Sequence, residues 1–336
     1  MTKIIYALFT VLFVCLIGCQ HETAPGLGVA SNSAVPEKPA VDSAAPVVAD
    51  PGAKETPTKI GAENKSGAGI VHGEGANGAL HVLAWNVESG MSNPKVIASQ
   101  LGEHRGLDII VLTEVLASEF ENFRGAIHAS GDSKYASINS ESGGEDRIEV
   151  IYNEARLELL ENTEPNEMRG QAVNTGRHRS PIVCLFQDRT SGERFYAVAV
   201  HLARGDGEFR KQQAIAIREW ARDQADSVIL IGDLNFDYVF ETDRGNEAFE
   251  ELARDNVMTW VRPEEMIDSN WYDEAGDGTD DYPGSLLDGA YVSGPANGWS
   301  PTCRILVREG DFPDDLETSD HRAIAIDLFP VAKASQ

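Results

Sequence analysis

Positive charge is scarce in this sequence. Its 336 residues include 28 Lys and Arg against 54 Asp and Glu, which gives a formal net charge of -26. A protein this acidic repels polyanions at long range, which argues against general nucleic-acid binding through a basic surface. One small local patch concentrates positive charge, at Arg177, His178 and Arg179.

Cysteine is also rare, with four residues in the chain. Cys15 and Cys19 lie in an apolar N-terminal stretch, and no CxxC or His–Cys cluster indicates a zinc site. Cys184 lies in an apolar strand pattern, which predicts a buried free thiol. An exported protein would permit a disulfide between Cys184 and Cys303, and the sequence leaves that pairing open.

Several catalytic motifs are missing from the chain. It has neither a Gly-x-Ser-x-Gly motif nor a Walker-type phosphate loop, and no Cys or Ser lies in an evident nucleophile motif. The hydrophobic fraction of 42% is nevertheless ample for one large folded domain or two small ones.

The N-terminal apolar run is too short for a comfortable membrane span. Lys3 precedes the apolar residues 4–17, and Gly18 and Cys19 follow them. This order resembles the bacterial lipoprotein signal, in which the cysteine is acylated and becomes the mature N-terminus. The alternatives are an ordinary signal peptide or a short anchor helix. The resemblance implies an exported protein, lipid-anchored to a bacterial membrane and facing the periplasm or the exterior. Gln20 in place of Asp favours the outer membrane.

Composition divides the remainder of the chain. Residues 20–78 are rich in Ala, Pro, Gly, Ser and Lys and cannot bury enough apolar surface to fold, which predicts a flexible tether. We therefore predict a signal peptide at 1–19, a tether at 20–78, a folded domain at 79–330 and a short tail at 331–336.

Apolar strand patterns and amphipathic helix patterns are interspersed in the predicted domain. Many strands follow one another closely enough to pair antiparallel, which predicts a mixed α/β (α+β) fold of two packed sheets with helices outside. The segment 263–283 is acidic and irregular, and we expect a surface loop there. Strands are predicted at 81–87, 108–114, 147–152, 181–186, 195–200, 228–231, 288–292, 302–307 and 322–328, and helices at 94–104, 207–224 and 246–256.

The stretch from Val228 to Asp237 carries the strongest local signal. An apolar run predicts a strand buried on both faces, and Gly232 then permits a turn or a close backbone approach. Asp233 and Asn235 share a side-chain parity, so they point the same way if the strand continues. A carboxylate and an amide at the carboxyl end of such a strand suit a catalytic site. The alternative is a simple Asx-turn.

Polar side chains recur where the predicted strands end. Their carboxylate and amide oxygens suit hard cations such as Mg²⁺, Mn²⁺ or Ca²⁺, and histidine can transfer protons near neutral pH. Metal-assisted hydrolysis of a phosphate ester fits these groups. The residues are Asn86, Glu88, Glu114, His201, Asp233, Asn235, Asp288, Asp320 and His321.

The order of these residues resembles the endonuclease/exonuclease/phosphatase superfamily over residues 80–329. The resemblance implies the DNase I-like fold, a four-layer α/β/β/α sandwich with its site at one edge of the two sheets. It also implies a metal-dependent phosphoric ester hydrolase. The matching elements are Trp85-Asn86, Thr113-Glu114, His201, Gly232-Asp233-Leu234-Asn235, Leu287-Asp288 and Ser319-Asp320-His321.

The resemblance also implies a set of metal ligands. Glu114 is the principal ligand, and Asn86 and Asp320 lie beside the metal. Many family members have Asp two residues after the first Asn, where this chain has Glu88, so the number of metals stays open. Mg²⁺ or Mn²⁺ is the expected cofactor, with Ca²⁺ as an alternative.

The same resemblance implies roles in the reaction. Asp233 positions or deprotonates the attacking water, and Asn235 assists it. His321 contacts the scissile phosphate and pairs with Asp288. His201 serves the phosphate or the leaving oxygen.

Arg179, in an Arg-x-Pro element before a strand, is the expected phosphate-binding residue. For Arg179 and Asp288 the alternative is local turn or surface structure. The acidic segment 273–281 could bind calcium, but it matches no EF-hand pattern, so we expect a solvated loop.

The expected partners are a phosphate-ester substrate, with extracellular nucleic acid as a candidate, and a membrane bound through the lipid anchor. A nuclease or other phosphodiesterase is the first hypothesis. A phosphatase or sphingomyelinase-like phospholipase is the second. A catalytically silent surface-binding lipoprotein is the third. No obligate protein partner is predicted.

Overall fold

The structure is a computed structural model that describes residues 78–129, 134–273, 277–281, 284–312 and 317–330. The predicted signal peptide, the lipidation site at Cys19, the tether up to residue 77 and the tail at 331–336 lie outside these ranges. Among the described residues, no helix combines the length and the apolar character needed to cross a membrane.

Helices and strands are interspersed along the described chain. In chain order they are β1 (Leu80–Asn86), α1 (Pro94–Leu101), β2 (Ile109–Val115), α2 (Phe120–Ala129), β3 (Tyr135–Asn139), β4 (Arg147–Asn153), β5 (Leu157–Thr163), β6 (Glu167–Met168), β7 (Gln171–Ala172), β8 (Ile182–Asp188), β9 (Arg194–His201), α3 (Gly207–Arg222), β10 (Ser227–Val239), α4 (Glu247–Ala253), β11 (Met258–Trp260), β12 (Ser285–Ser293), β13 (Thr302–Ile305) and β14 (Ile324–Leu328).

Two six-stranded sheets form the centre of the molecule. The first sheet has the order β13-β14-β1-β2-β4-β3, and the second has the order β11-β12-β10-β9-β8-β5. Each sheet contains one parallel pair, β1–β2 in the first and β9–β10 in the second. Both parallel pairs are interior to their sheets, so the carboxyl ends of these strands are surrounded by other strands.

The side-chain alternation of β1 shows how the layers are filled. Val82 and Ala84 belong to the core shared with the second sheet, whereas Leu83 and Trp85 pack with buried residues of α1 and α2. Helices α3 and α4 pack on the second sheet through residues of the same shared core. The four-layer α/β/β/α sandwich is therefore confirmed. Asn86 has the parity of Ala84, so β1 presents its amide towards the second sheet.

Helix α3 forms largely as its sequence predicts. The Asp206 side chain caps it by accepting a hydrogen bond from the Phe209 N–H at 2.9 Å. The apolar stripe of Ala214, Ile217 and Ala221 is buried against the second sheet. The predicted hairpin of β8 and β9 also forms, as an antiparallel pair.

Three helix ends differ from the sequence prediction. Helix α1 ends at Leu101, because Gly102 caps it, rather than at His104. Helix α3 ends at Arg222 instead of residue 224. Helix α4 ends at Ala253 and continues only as a 3-10 turn, in which Asp255 takes φ +60°. Helix α2 and the strands β3, β5, β6, β7 and β11 were not predicted.

Both cysteines of the described chain are buried free thiols. Cys184 lies on β8 and Cys303 on β13, in different sheets. Burial raises the pKa of each thiol to about 12. The expectation of a buried free thiol at Cys184 is confirmed, and the two residues form no disulfide with each other.

Glycine at position 232 is required by the approach of β9 to β10. Gly232 takes φ +143°, and a Cβ atom there would lie 2.0 Å from the carbonyl oxygen of Val200. Any side chain would force the two parallel strands apart immediately before Asp233. The close backbone approach predicted for this glycine is therefore confirmed.

Candidate active site

Polar side chains of both sheets meet at the carboxyl ends of the two parallel pairs. Asn86 ends β1 and His201 ends β9, while Asp233 pairs with His201 across β9–β10. The amide Nδ2 of Asn86 donates a hydrogen bond to Asp233 Oδ2 at 3.0 Å, although 147 residues separate them. This bond joins the two sheets at one edge of the sandwich.

A break in the alternation of β2 turns Glu114 towards this edge. The β2–β4 register shifts between Leu112 and Val115, and Glu114 takes φ +56°. Its Oε1 lies 3.7 Å from Nε2 of His201 on the other sheet. Burial, followed by the negative charge of Asp233, raises the pKa of the Glu114 carboxyl. The local backbone strain thus serves to present a carboxylate.

His201 is almost completely enclosed, with its side chain 2% exposed. Its Nε2 lies 3.3 Å from Asp233 Oδ2 as well as near Glu114, whereas its Nδ1 has no partner among the described residues. Burial lowers the pKa of His201 to about 3, so the ring is neutral at neutral pH. We assign the proton to Nε2, because that nitrogen faces the carboxylates.

Asp233 is the carboxylate at the centre of the cluster. Its Oδ1 accepts a hydrogen bond from the backbone N–H of Asn235 at 3.0 Å. Burial alone would raise the pKa of Asp233. The contact with the neutral His201, the positive charge of His321 and the bonds from Asn235 and Asn86 together outweigh burial, so the pKa of Asp233 lies below its usual value. Asp233 is therefore ionised at neutral pH.

Asn235 takes a different position from the one that strand parity suggested. Strand β10 bulges between Asp233 and Tyr238, and Asn235 takes φ +48°. The side-chain Nδ2 donates to the carbonyl of Leu202 at 3.0 Å, and the side-chain Oδ1 accepts from Arg204 Nη1 at 2.9 Å. Asn235 thus contacts Asp233 through its backbone, and its side chain holds the β9–α3 loop.

On the other side of Asp233, His321 forms a close pair with Asp288. Asp288 lies opposite Asp233 in the β10–β12 register, and its Oδ2 is 2.8 Å from Nδ1 of His321. Burial lowers the pKa of His321, but Asp288 and Asp320 outweigh it and raise the pKa well above its usual value. Burial raises the pKa of Asp288 to about 6. Near neutral pH the pair is an imidazolium and a carboxylate.

The loop that carries His321 is fixed to β1. The Ser319 hydroxyl donates to the carbonyl of Asn86 at 2.6 Å and accepts from the His321 N–H at 3.0 Å. The Trp85 indole N–H donates to the carbonyl of His321 at 2.7 Å. These bonds place the motif around residue 320 beside the end of β1. Trp85 and Ser319 belong to the matching motif elements, but no role had been predicted for them.

Glu88 and Asp320 add two more carboxylates. The Asp320 N–H donates to Glu88 Oε2 at 3.1 Å, and Glu88 takes φ +44°. Burial, then the charges of Asp320 and Glu114, raises the pKa of Glu88 to about 7. Three carboxylates this close together suit a divalent cation, which would stabilise the ionised form of Glu88.

Two groups of potential ligands share Asp233. One group is completed by Glu114 and His201, and the other by Asp288 and His321, with ligand atoms within 4.8 Å of one another in each. In the second group His321 is protonated and paired, which leaves it unsuited to bind a metal. The oxygen donors near Glu114 suit a hard divalent cation.

Arg179 lies at the rim of the same edge. Its Nη2 is 2.7 Å from Asp146 Oδ2, and its Nε donates to the Asp146 carbonyl. Its positive charge also acts on Glu114 and His201. Arg179 is therefore near enough to influence the site, but Asp146 holds its guanidinium. Asp146 was not singled out in the sequence.

Comparison with solved structures gives the same fold in proteins of low sequence identity. An endonuclease/exonuclease/phosphatase from Bacteroides vulgatus is 19% identical, with a TM-score of 0.55 over 74% of this chain and 98% of that chain. TDP2 of D. rerio, complexed with single-strand DNA product, is 14% identical, with a TM-score of 0.54 over 75% and 99%. The mannosyl-6-phosphatase of Bacteroides thetaiotaomicron is 16% identical, with a TM-score of 0.53 over 74% and 98%.

The sequence comparison is decisive for the family. No curated protein matches the chain in a sequence search. Residues 83–321, however, match the Endonuclease/Exonuclease/phosphatase family, and this range extends from β1 to His321. The chain belongs to the endonuclease/exonuclease/phosphatase family and is a phosphoric ester hydrolase.

Proposed function

We propose that the protein hydrolyses phosphodiesters in a metal-dependent reaction and acts as a nuclease. The observation that carries this proposal is the position of Asp233 between a neutral histidine, His201, and a charged one, His321. The ionised Asp233 orients the attacking water and accepts its proton. The His321 imidazolium, held by Asp288, donates a hydrogen bond to a non-bridging phosphate oxygen as charge develops there.

Glu114, Asn86 and Asp320, with Glu88 beside them, are the residues that would hold the metal. The repulsion of Glu88 by Asp320 and Glu114 supports this assignment, and we propose Mg²⁺ or Mn²⁺ as the cation. The chemistry that such a cation supplies when bound is polarisation of a phosphoryl oxygen and stabilisation of the leaving oxygen. His201, being enclosed and neutral, keeps the carboxylate of Asp233 in position by donating from Nε2, and its ring packs beside Glu114.

The charge around the site favours a diester over a monoester. A phosphodiester carries one negative charge, whereas a monoester carries nearly two at neutral pH. The site is surrounded by carboxylates, and Arg179 is already paired with Asp146. A second charge on the scissile phosphate would therefore be less well stabilised. A protein of this fold that was solved with a single-strand DNA product is consistent with a nucleic-acid substrate.

Hydrolysis of bis-(p-nitrophenyl) phosphate tests the proposal directly. We expect release of p-nitrophenol with Mg²⁺ or Mn²⁺ and its loss with excess chelator. p-Nitrophenyl phosphate, assayed in parallel, reports monoester hydrolysis. Faster turnover of the monoester would replace the diesterase proposal by a phosphatase, the activity of the structurally similar mannosyl-6-phosphatase. No turnover of either compound with any metal would favour a binding protein.

Plasmid DNA, RNA and phospholipid vesicles then separate the substrate classes. We expect cleavage of a nucleic acid and no release of phosphorylated headgroup. Headgroup release without cleavage of nucleic acid would instead assign the enzyme to the phospholipases.

We also propose that the enzyme is exported and lipid-anchored through Cys19. The apolar residues 4–17 followed by Gly18 and Cys19 support this proposal. We expect the full-length protein to sediment with membranes in a bacterial host and Cys19→Ala to abolish that sedimentation. Cys15→Ala is the matched control, because it lies inside the apolar run. Unchanged sedimentation and processing of Cys19→Ala would contradict the anchor.

A further inference from the structure

A pocket of about 600 Å³ opens beside the candidate active site. It lies between the β9–α3 loop, the bulge of β10 and the start of β12. The residues that determine its chemistry are Arg204, Arg210, Asp237, Val239, Asn270 and Leu287. We name it the Arg204 pocket. Neither the family resemblance nor the assigned catalytic residues account for it.

Arg204 presents an unused guanidinium edge in this pocket. Its Nη1 donates to Asn235 Oδ1 at 2.9 Å and lies 3.5 Å from Asp237 Oδ1. Its Nε and Nη2 have no hydrogen-bond partner among the described residues, and its side chain is 52% exposed. An arginine fixed through one nitrogen can still offer its other N–H groups to a phosphate in bidentate geometry.

Arg210 adds a second positive charge from the first turn of α3. Its Nη1 donates to the carbonyl of Ala203 at 2.9 Å, and its Nη2 lies 3.3 Å from Asp237 Oδ2. Its side chain is only 11% exposed, and its Nε has no partner in the described part of the chain. Because Arg204 and Arg210 share the single carboxylate of Asp237, the lining keeps an excess of positive charge. In a chain with a net charge of -26, this excess is a local exception.

The lining of the pocket adjoins the groups that would carry out hydrolysis. Leu287 immediately precedes Asp288, and Asn270 forms a backbone bridge with His321. Arg204 donates to the side chain of Asn235, and the backbone N–H of Asn235 donates to Asp233. A molecule whose scissile phosphate lies at Asp233 and His321 would therefore have the Arg204 pocket beside it.

The apolar part of the lining indicates which kind of chemical group is attached to the negative charge that the arginines would bind. Leu287 and Val239 provide an apolar wall, and Val239 is 38% exposed. A free inorganic ion would leave this wall in contact with water. An organic group that carries a phosphate would cover the wall and reach the arginines at the same time.

We propose that the Arg204 pocket binds a second phosphate of the substrate, one that is not cleaved, and that Arg204 is the residue that selects for it. This inference rests on the proposed phosphodiesterase function and specifies its substrate class. Such a phosphate is supplied either by the next linkage of a nucleic-acid strand or by the polyphosphate of a nucleotide. The bonds to this phosphate neither form nor break during the reaction.

Matched dinucleotides measure how strongly the enzyme prefers a substrate that carries a second phosphate. Thymidylyl-(3′→5′)-thymidine is compared with the same compound carrying a 3′-terminal phosphate and with the one carrying a 5′-terminal phosphate. We expect one phosphorylated form to have a kcat/KM about tenfold higher than the unphosphorylated form. Arg204→Gln removes this preference, and Arg204→Lys, which keeps the charge, retains part of it. A wild-type ratio near one for both forms would overturn the proposal.

Arg189→Gln is the matched control for these variants. Arg189 is also half-exposed, at 50%, and also pairs with one carboxylate, Glu158 at 3.0 Å, but it lies in the β8–β9 turn. It should leave the phosphate preference at the wild-type value. Loss of the preference in Arg189→Gln to the same degree as in Arg204→Gln would show a general charge effect and contradict the specific site.

Binding of nucleotides that resemble reaction products distinguishes the two sources of the second phosphate. Calorimetry with thymidine 5′-monophosphate, thymidine 3′,5′-bisphosphate and thymidine 5′-diphosphate compares one phosphate, two separated phosphates and two adjacent phosphates. Tighter binding of the bisphosphate, lost in Arg204→Gln, indicates a strand. Tighter binding of the diphosphate, lost in the same variant, indicates a nucleotide polyphosphate. Equal binding of all three overturns the proposal. This measurement needs no turnover, so it also stands if bis-(p-nitrophenyl) phosphate is not hydrolysed and the proposed function fails.

Discussion

The two histidines of the site are both buried beside aspartates, yet one is neutral and the other is positively charged. On one side of Asp233, His201 lies 3.3 Å from that carboxylate and 3.7 Å from Glu114, and its pKa falls to about 3 because of burial. On the other side, His321 lies 2.8 Å from Asp288, and its pKa rises well above the usual value. Burial alone therefore does not decide the charge.

The difference shows that contact geometry determines the role of each ring. A short, direct hydrogen bond to Asp288, with Asp320 nearby, stabilises the imidazolium of His321 more than burial destabilises it. The longer contacts of His201 do not compensate for the loss of solvent. His321 is thus a charged donor that can face the phosphate. His201 is a neutral residue that positions carboxylates.

The largest effect is expected from removing the central carboxylate or the charged histidine. Asp233→Asn keeps the shape of the residue but cannot accept the proton of water, and His321→Ala removes the imidazolium. Each should lower kcat for bis-(p-nitrophenyl) phosphate by a factor on the order of 10² to 10⁴. Thermal unfolding followed by circular dichroism checks that the fold persists.

Asp226→Asn is the control at the opposite end of β10. Asp226 immediately precedes the strand and pairs with Arg194 at 3.2 Å. Its substitution should leave kcat close to the wild-type value. A near-wild-type rate in Asp233→Asn or in His321→Ala would contradict the roles given to the two sides of the site.

A smaller effect is expected when the ion pair alone is removed. In Asp288→Asn the strongest source of the raised pKa of His321 is lost, so the imidazolium deprotonates at a lower pH. The alkaline limb of the kcat–pH profile should shift to lower pH. His201→Gln should leave that limb in place, because His201 is neutral throughout this range. An unchanged limb in Asp288→Asn would show that His321 is not the titrating acid.

The smallest effect is expected at Glu88, in the stability of the protein rather than its rate. The pKa of this carboxyl is about 7 in the fold against a usual value of 4.5, so the folded protein binds the proton more tightly than the unfolded chain. Without metal, this contribution to stability is therefore lost as pH rises from 4.5 to about 7. Mg²⁺ should raise the melting temperature more at about pH 8 than at about pH 5.

Glu88→Gln tests the source of that pH dependence. The variant cannot ionise at this position, so its Mg²⁺-induced shift in melting temperature should vary less with pH. Glu145→Gln, which lies in the β3–β4 loop, serves as a control with an exposed carboxyl group. Equal Mg²⁺ shifts at both pH values in the wild-type protein would contradict the assignment of Glu88 to the metal side.

The buried strands could be predicted because their apolar runs are long and end in polar residues. β5 was missed because it is an edge strand whose outer residues, such as Glu161, are exposed and break the pattern. Helix α2 was missed although its buried Phe120, Phe123 and Ile127 follow a helical spacing. That signal was present in the sequence.

The candidate site was predictable in its membership but not in its orientation. The orientation of the Asn86 side chain follows from simple alternation along β1. The orientations of Glu114 and Asn235 do not follow from alternation, because a non-glycine residue takes a positive φ inside a strand only when tertiary contacts hold it there. The contact of Asn235 with Arg204 joins distant parts of the chain, so local spacing could not reveal the Arg204 pocket.

The positive φ angles at Glu88, Glu114, Asn235 and Asp237 have an evolutionary consequence. Glycine would adopt each of these conformations without the steric cost, which is on the order of 1 kcal/mol or more per residue. At Asn235 and Asp237 glycine would also remove bonds that hold the β9–α3 loop. At Glu114, whose side chain serves the site, the residue that is best for the backbone differs from the one that is best for chemistry, so a descendant freed from selection for hydrolysis would lose strain by gaining glycine there.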